Sequence, residues 1–299
     1  MPASSMSIAV GIATLRRPEI LAETIDVLAR QTRLPDLLVI CAGAPEDADD
    51  ASLKNFPAAA RMVTGTVGLC AQRNKILSAA AEADIIVFFD DDFFPEPDYL
   101  ANLERVFLVN PDVVAATGFV LADGVNGPGL SVQQALKIGE TGSCAPAGGA
   151  KLIDYYGTYG CNMAFRMETV RHNSVLFDEN LPQHGWQEDI DFSLRLAPFG
   201  RIVKSRDMRG VHLGVKLGRT SGIRFGYSQI ANPVYLVRKG SIAWRYAMNL
   251  MWRNLAANLV RSFYPEPWID RKGRLKGNIL ALIDITIGRI SPLRIRQFH

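Results

Sequence analysis

Cysteine is scarce in this chain of 299 residues, and its four positions, Cys41, Cys70, Cys144 and Cys161, match neither a metal knuckle nor a redox pair in spacing. That pattern suits buried thiols in a reducing compartment. No uninterrupted apolar run approaches the ~20 residues needed to cross a bilayer. The start, MPASSMSIAV, lacks the basic region, apolar stretch and small-residue cleavage site of a secretory signal, so a cytoplasmic location is expected. What the chain does have is hydrophobic content, 48% against 21% charged. That is enough for one large domain with its own core, or for a domain plus an appendage, and too much for disorder.

The net charge is only +3, but it is lopsided. From Arg201 onward 19 Lys/Arg face 4 Asp/Glu, whereas the preceding 200 residues hold 14 and 26. A basic tail calls for an anionic partner such as lipid headgroups or a diphosphate. Nucleic acid is set aside, because the tail carries no zinc spacing and no recognisable nucleic-acid-binding motif.

Residues 7–12 (SIAVGI) read as a strand, followed by Thr14, Arg17 and Pro18 and a periodic helix over 19–31. Pro18 then sits in the first helical turn, where its missing N–H costs nothing. Strands are expected at 37–41, 85–89 and 113–119 and helices at 69–81 and 98–109. This alternation predicts an α/β fold with a mostly parallel sheet covered on both faces. Between 121 and 154 the pattern dissolves into glycine, proline and small polar residues, a loop of a length that is usually functional or mobile. Order returns with GTYGCNMAFR at 157–166, a helix over 188–197, a strand over 201–205 and a mainly helical remainder.

Asp90, Asp91 and Asp92 directly follow five apolar strand residues. In an open α/β sheet the carboxyl ends of strands open into the ligand crevice. Crowded carboxylates repel one another there, and a hard divalent cation, Mn²⁺ or Mg²⁺, relieves the repulsion and can bridge to phosphate oxygens. The plainer alternative is an acidic turn capping the next helix. A second cluster, Trp186-Gln187-Glu188-Asp189-Ile190-Asp191, opens a helix. The dipole favours acids at that position, and Asp191 with Arg195 suits an i, i+4 ion pair. Three acids in four positions beside a tryptophan exceed what capping needs, since indole stacks on sugar rings and a carboxylate can take a hydroxyl proton. His212, in VHLG, is a candidate third ligand for the cation; His172, His184 and His299 have no comparable context.

In their order these segments resemble the inverting family 2 glycosyltransferases of the GT-A fold, over residues 7–219. Ala13-Thr14-Leu15-Arg16-Arg17-Pro18-Glu19 resembles the loop after the first strand, and Gly68-Leu69-Cys70-Ala71-Gln72-Arg73-Asn74 the segment beside the nucleotide. Asp90-Asp91-Asp92 resembles the aspartate motif. Gly160-Cys161-Asn162-Met163-Ala164-Phe165-Arg166, Leu176-Phe177-Asp178-Glu179 and Glu188-Asp189-Ile190-Asp191 with Arg195 resemble the acceptor side.

The resemblance implies a GT-A domain over 1–225, with a nucleotide-sugar half (1–120) and an acceptor half (121–225), and a helical extension over 226–299. It makes Asp189 the catalytic base, and Asp92, Asp90 and His212 the ligands of Mn²⁺ or Mg²⁺. Thr14, Arg17, Arg73, Asn74, Asp90 and Asp91 become donor contacts, and Trp186, Glu188 and Asn162 acceptor contacts. The implied reaction is a single in-line displacement with inversion. A sugar passes from a nucleoside diphosphate to a saccharide or lipid-linked saccharide, in surface polysaccharide or glycolipid synthesis of the bacterial type. The chain departs from the family at Cys41-Ala42-Gly43-Ala44, where an acidic turn usually recognises uracil; a UDP-sugar is expected from family frequency alone.

Two rivals are weaker. A sugar-nucleotide nucleotidyltransferase needs a glycine-rich phosphate loop after the first strand, and Ala13-Thr14-Leu15-Arg16-Arg17 has no glycine. A nucleotide-binding scaffold without turnover would fit the loss at Cys41, but not the retention of Asp92 and Asp189. In the extension, Trp244, Met248, Met251, Trp252, Leu255 and Leu259 fall on one helical face, and Arg245, Arg253, Arg261, Asn254 and Asn258 fall elsewhere. Such a stripe either packs on its own protein or lies at a membrane interface. The arginines and the FYPEPW segment at 263–268 make peripheral attachment to the inner face of a membrane the second expectation.

Overall fold

The computed structural model describes residues 5–48, 50–142, 152–217 and 220–298. Cys144, most of the glycine-rich run at 140–151, Arg219 and His299 lie outside the described residues. The strands are β1 (Ile8–Thr14), β2 (Leu37–Ala42), β3 (Ala59–Thr64), β4 (Ile85–Asp90), β5 (Phe93–Pro95), β6 (Val113–Asp123), β7 (Leu152–Asp154), β8 (Asn162–Arg166) and β9 (Arg201–His212). The helices are α1 (Pro18–Leu28), α2 (Asp50–Lys54), α3 (Leu69–Ala79), α4 (Tyr99–Val109), α5 (Val132–Gly142), α6 (Met167–His172), α7 (Glu188–Leu196), α8 (Gly222–Lys239), α9 (Trp244–Arg261) and α10 (Arg271–Thr286).

All the strands join one sheet in the order β3-β2-β1-β4-β8-β6-β9-β5, with β7 also paired to β9. The first four are parallel, as the alternation of elements predicts. Beyond β4 the sheet becomes mixed: β8 runs antiparallel to β4 and β6, β9 runs parallel to β6, and β5 and β7 run antiparallel to β9. The unbroken apolar runs of β1, β2 and β4 follow from burial on both faces. Along β4, Ile85, Val87 and Phe89 face the core under α1 and α4. Ile86 and Phe88 face the opposite core, under α3 and α7. The register sets Ala13 opposite both Cys41 and Asp90, so these strand ends share one edge.

The expected structureless stretch at 121–154 is corrected in part. β6 continues to Asp123, and α5 and β7 occupy much of the remainder. β3 escaped the pattern because it is an edge strand with half-exposed, mixed residues, AARMVT. The short strand expected at 201–205 is the first part of a 12-residue strand that ends on His212. Register shifts between β6 and β9 break its alternation, which is why the periodicity gave out early.

The extension shares its packing with the rest. α8 and α10 approach closely through Gly226 and Gly277, where an added Cβ would lie 2.0 Å from the Arg274 carbonyl oxygen and 2.1 Å from that of Ile223. Asn258, Asn278 and Gln229 form a buried amide network between the three helices. Asn232 donates to the Trp186 carbonyl, and Lys239 bridges Asp178 and Asp191. Of the apolar stripe on α9 only Met251 is buried among the residues named; Trp244, Met248, Trp252 and Leu259 are exposed, so packing on its own protein does not account for it. Among the described residues no helix is long and apolar enough to cross a membrane.

His184 lies at the junction of the two parts. Its ring stacks on Phe225 of α8 with centroids 5.0 Å apart, Nδ1 lies 3.2 Å from the Thr220 hydroxyl, and Nε2 is shielded without a partner. Burial, with Arg274 adding to it, lowers its pKa to about 4. The folded state therefore refuses a proton that the unfolded chain accepts below about pH 6.5. Stability from this group is complete above that pH and declines as pH falls towards 4, by roughly 2 to 3 kcal/mol. Urea denaturation of wild type and His184→Phe between neutral pH and about pH 4.5 should show a shallower loss in the variant; equal losses would refute the role of His184.

Candidate active site

The three aspartates diverge, each held by a different part of the fold. Asp90 ends β4, and its amide donates to the Cys161 carbonyl. Asp91 turns inward, where its carboxylate accepts from the Thr14 hydroxyl at 2.8 Å and from Arg17 at 2.9 Å. Its carbonyl accepts from Thr24 of α1 at 2.7 Å. Burial pushes the Asp91 carboxyl up to about 7, with Arg17 pulling the other way and Asp92 adding to the rise. Asp92 accepts from the Val215 amide at 2.7 Å. Its burial is outweighed by His212, Arg17 and that amide, which hold it below the usual carboxylate range.

His212 reaches the aspartates through sheet register. As the last residue of β9 it pairs with Phe93 on one side, next to Asp92, and with Asp123 on the other. Its Nδ1 lies 3.1 Å from Asp123, which leaves Nε2 facing Asp92 at 3.2 Å and Asp90 at 3.7 Å. The Tyr159 hydroxyl donates to the other Asp123 oxygen at 2.7 Å. One ligand atom from each of Asp90, Asp92 and His212 falls within 4.8 Å of the others. Two carboxylates and an imidazole converging in this way fit a single divalent cation such as Mn²⁺, with Asp123 fixing the ring as an outer partner.

A second constellation is built on Arg73 of α3, which is 2% exposed. Its guanidinium donates to Glu188, to Asp90 at 3.2 Å and to the Gly160 carbonyl at 2.9 Å. It also lies 5.5 Å from the Phe177 ring centroid and 5.8 Å from that of Phe88. The amide of the same Gly160 donates to Asp189 at 2.9 Å, and the Ile190 amide donates to the other Asp189 oxygen at 2.8 Å. Burial raises the Asp189 carboxyl, those amides and Arg73 oppose the rise, and Asp90 adds to it. Burial and Asp189 push Glu188 upward against the pull of Arg73. Before α7, Gln187 adopts φ 75°, a left-handed conformation that non-glycine residues seldom take and that often marks a functional turn.

Other residues expected at the site are placed differently. The Asn74 side chain is engaged by the chain, donating to the Phe177 carbonyl and Glu179 and accepting from the Phe177 amide. Asn162 is buried, with its side-chain Oδ1 accepting from Thr117 and Gly118 and its Nδ2 unpartnered. Trp186 is half-buried and tilted against Phe225, 6.1 Å between centroids. After β2, the segment beginning at Cys41 does include a buried carboxylate, Asp47, which accepts from the Arg16 amide at 2.7 Å and the Ala44 amide at 2.9 Å. Four participants escaped the sequence pattern: Asp123, Tyr159, Asp47 and Tyr246. Tyr246, from α9, lies tilted by 30° against Tyr156 at 4.8 Å and donates to Gln187 at 3.0 Å, which brings α9 to the segment before α7. The Asp-Gly pair at 123–124 was visible only as a turn signal.

Known proteins with related sequences and folds fit this geometry. A Haloferax volcanii glucosyl-dolichyl phosphate glucuronosyltransferase is 26% identical over 171 residues, 54% of this chain and 53% of that protein. The match thus spans about half the length of that relative. The fold resembles that of the mannosyltransferase PcManGT from Pyrobaculum calidifontis, solved with GDP-Man and Mn²⁺. The TM-score is 0.56 at 16% identity, covering 96% of this chain and 88% of that one. It also resembles Staphylococcus aureus TarS 1–349, with a TM-score of 0.55 at 15% identity over 96% and 83% of the two chains. Residues 9–172, more than half the chain, match glycosyl transferase family 2. The chain therefore belongs to that family, and its mixed α/β sheet with helical C-terminal part is a GT-A fold.

Proposed function

We propose that the chain is a metal-dependent inverting glycosyltransferase that moves a sugar from a nucleoside diphosphate to a hydroxyl of a saccharide or lipid-linked saccharide, in surface polysaccharide or glycolipid synthesis. The observation that carries this is the Gly160 clamp. One backbone unit holds Asp189 through its N–H and, through its carbonyl, the guanidinium that reaches Asp90. The candidate base is thereby fixed relative to the candidate cation ligands. Its two oxygens each accept one backbone N–H, which orients the carboxylate and leaves lone pairs for an acceptor hydroxyl. Burial makes that carboxylate a stronger base than one in water.

Asp90, Asp92 and His212 would hold Mn²⁺ or Mg²⁺, which when bound neutralises charge on a departing diphosphate. Thr14 and Arg17 keep Asp91 turned away from the cation ligands and against the first-strand loop. Proton removal by a single base while the diphosphate leaves from the opposite face gives inversion. The half-exposed rings of Tyr155 and Tyr156, together with Tyr246, offer a stacking wall for the acceptor. A lipid-linked acceptor is supported by the name of the Haloferax relative, and the cation by the Mn²⁺ complex of PcManGT.

Asp189→Asn should lower transfer by ~10²–10⁴-fold while Mn²⁺-dependent stabilisation by nucleoside diphosphates persists in a thermal-shift assay. Turnover like that of wild type would sink the assignment of the base. The same assay across uridine, guanosine and thymidine diphosphates reads the base directly.

Asp123→Ala should weaken Mn²⁺ binding by roughly 10–100-fold, with activity returning at high Mn²⁺, because only the outer support of His212 is lost. An unchanged Mn²⁺ titration would remove Asp123 from the site.

A further inference from the structure

We infer that the outer face of α9, its link to α10 and the outer face of α10 form a docking surface for an anionic lipid bilayer, on which the protein lies without spanning it. α9 packs inward through Ala247, Met251 and Asn258. Its outward stripe is Trp244, Met248, Trp252 and Leu259, at 53%, 44%, 67% and 50% exposure. At 100° per residue those four positions fall within an arc of about 80°. The link continues the apolar surface with Phe263 at 74% and Tyr264 at 89% exposure. On α10 the inward residues are Gly277, Asn278, Ala281 and Asp284. Its opposite face opens with the exposed Lys272 and Lys276 and ends with Ile279, Leu282 and Ile283. Isolated exposed hydrophobic residues need no explanation, but two successive helices that each leave an apolar stripe uncovered call for a partner.

Charge selects which partner. Residues 226–299 contain 12 Lys/Arg and 3 Asp/Glu. The three acids are already committed: Glu266 to Arg261 and Arg271, Asp284 to Arg294 and Tyr227, and Asp270 to the first turn of α10. Arg245 borders the α9 stripe, Arg253 lies further round the same side of the helix, and both are exposed, as are Lys272, Lys276, Arg289 and Arg296. A second copy of the chain would set the same positive surface against itself. A bilayer with anionic headgroups instead takes up the cations at its surface and the tryptophans and leucine at its acyl boundary. Aromatic rings at the edge of such a patch suit the headgroup level, since they are amphipathic. The link also points the surface towards the active site: Trp268 donates to the Asn126 carbonyl at 3.2 Å, three residues beyond the Asp123 that holds His212.

The full chain floated with vesicles tests this. It should bind vesicles of phosphatidylcholine containing one-third phosphatidylglycerol about tenfold or more tightly than phosphatidylcholine alone, and less tightly as salt rises. Trp252→Glu with Leu259→Glu, and separately Arg245→Glu with Arg253→Glu, should each lose about tenfold or more. Val109→Glu, exposed on α4 far along the chain, should bind as wild type does. Thermal melting verifies that each variant is folded. If the first pair fails to fold, Phe263→Ser with Tyr264→Ser probes the same surface from the link. Absence of vesicle binding, equal binding to neutral vesicles, or binding unaffected by these substitutions would overturn the inference. So would a concentration-dependent dimer in sedimentation velocity that the Trp252→Glu, Leu259→Glu pair dissolves.

Discussion

A guanidinium that cannot lose its proton sits almost wholly inside this protein, and much of the site is arranged around it. Removing a partner from a buried ion pair costs about 3–5 kcal/mol, because the remaining charge has no water to turn to. Arg73 meets that constraint with one carboxylate from β4, one from α7, a carbonyl between them and two aromatic faces. Those groups lie up to 115 residues from Arg73 in the chain. The demand of a single buried charge thus brings the end of β4 and the start of α7 into one place.

The metal-type cluster obeys a different rule. Asp90 and Asp92 are neighbours in sequence, but His212 arrives through the pairing of β5 and β6 with β9. Hydrogen bonding then sorts the carboxylates by task. Asp91 is satisfied by Thr14 and Arg17, while Asp90 and Asp92 turn towards the imidazole. Like charges that would otherwise repel are separated by what each one bonds, not by distance along the chain.

The parallel half of the sheet was legible in the sequence because β1, β2 and β4 are continuous apolar runs, a pattern with no solvent-facing side to blur it. The aspartate run was legible for the same reason, since it interrupts the most apolar of those strands. β3, α5, β7 and the second half of β9 were hidden by edge exposure, small residues and bulges. Asn74 shows the limit at the level of side chains. Its position in the motif is as expected, yet its amide is occupied by Phe177 and Glu179, and only three-dimensional proximity reveals that. Asp123 carried no local signal beyond that of a turn, because its partner His212 lies 89 residues away.

The ion pair from Lys239 to Asp191 sets where this chain can be cut. Asp191 has a side chain with no solvent exposure and belongs to the helix that opens with Asp189; its cations are Arg195 from the same helix and Lys239 from α8. A fragment ending at β9 would keep the aspartate motif, the candidate base and His212, yet it would strand a carboxylate in the core with one cation fewer. It would also strip Leu236, Ile242 and Ala247 from the core cluster shared with α7. The smallest unit that keeps this packing therefore includes α8 and the start of α9, and shortening the protein for crystallisation or fusion must begin beyond Ala247.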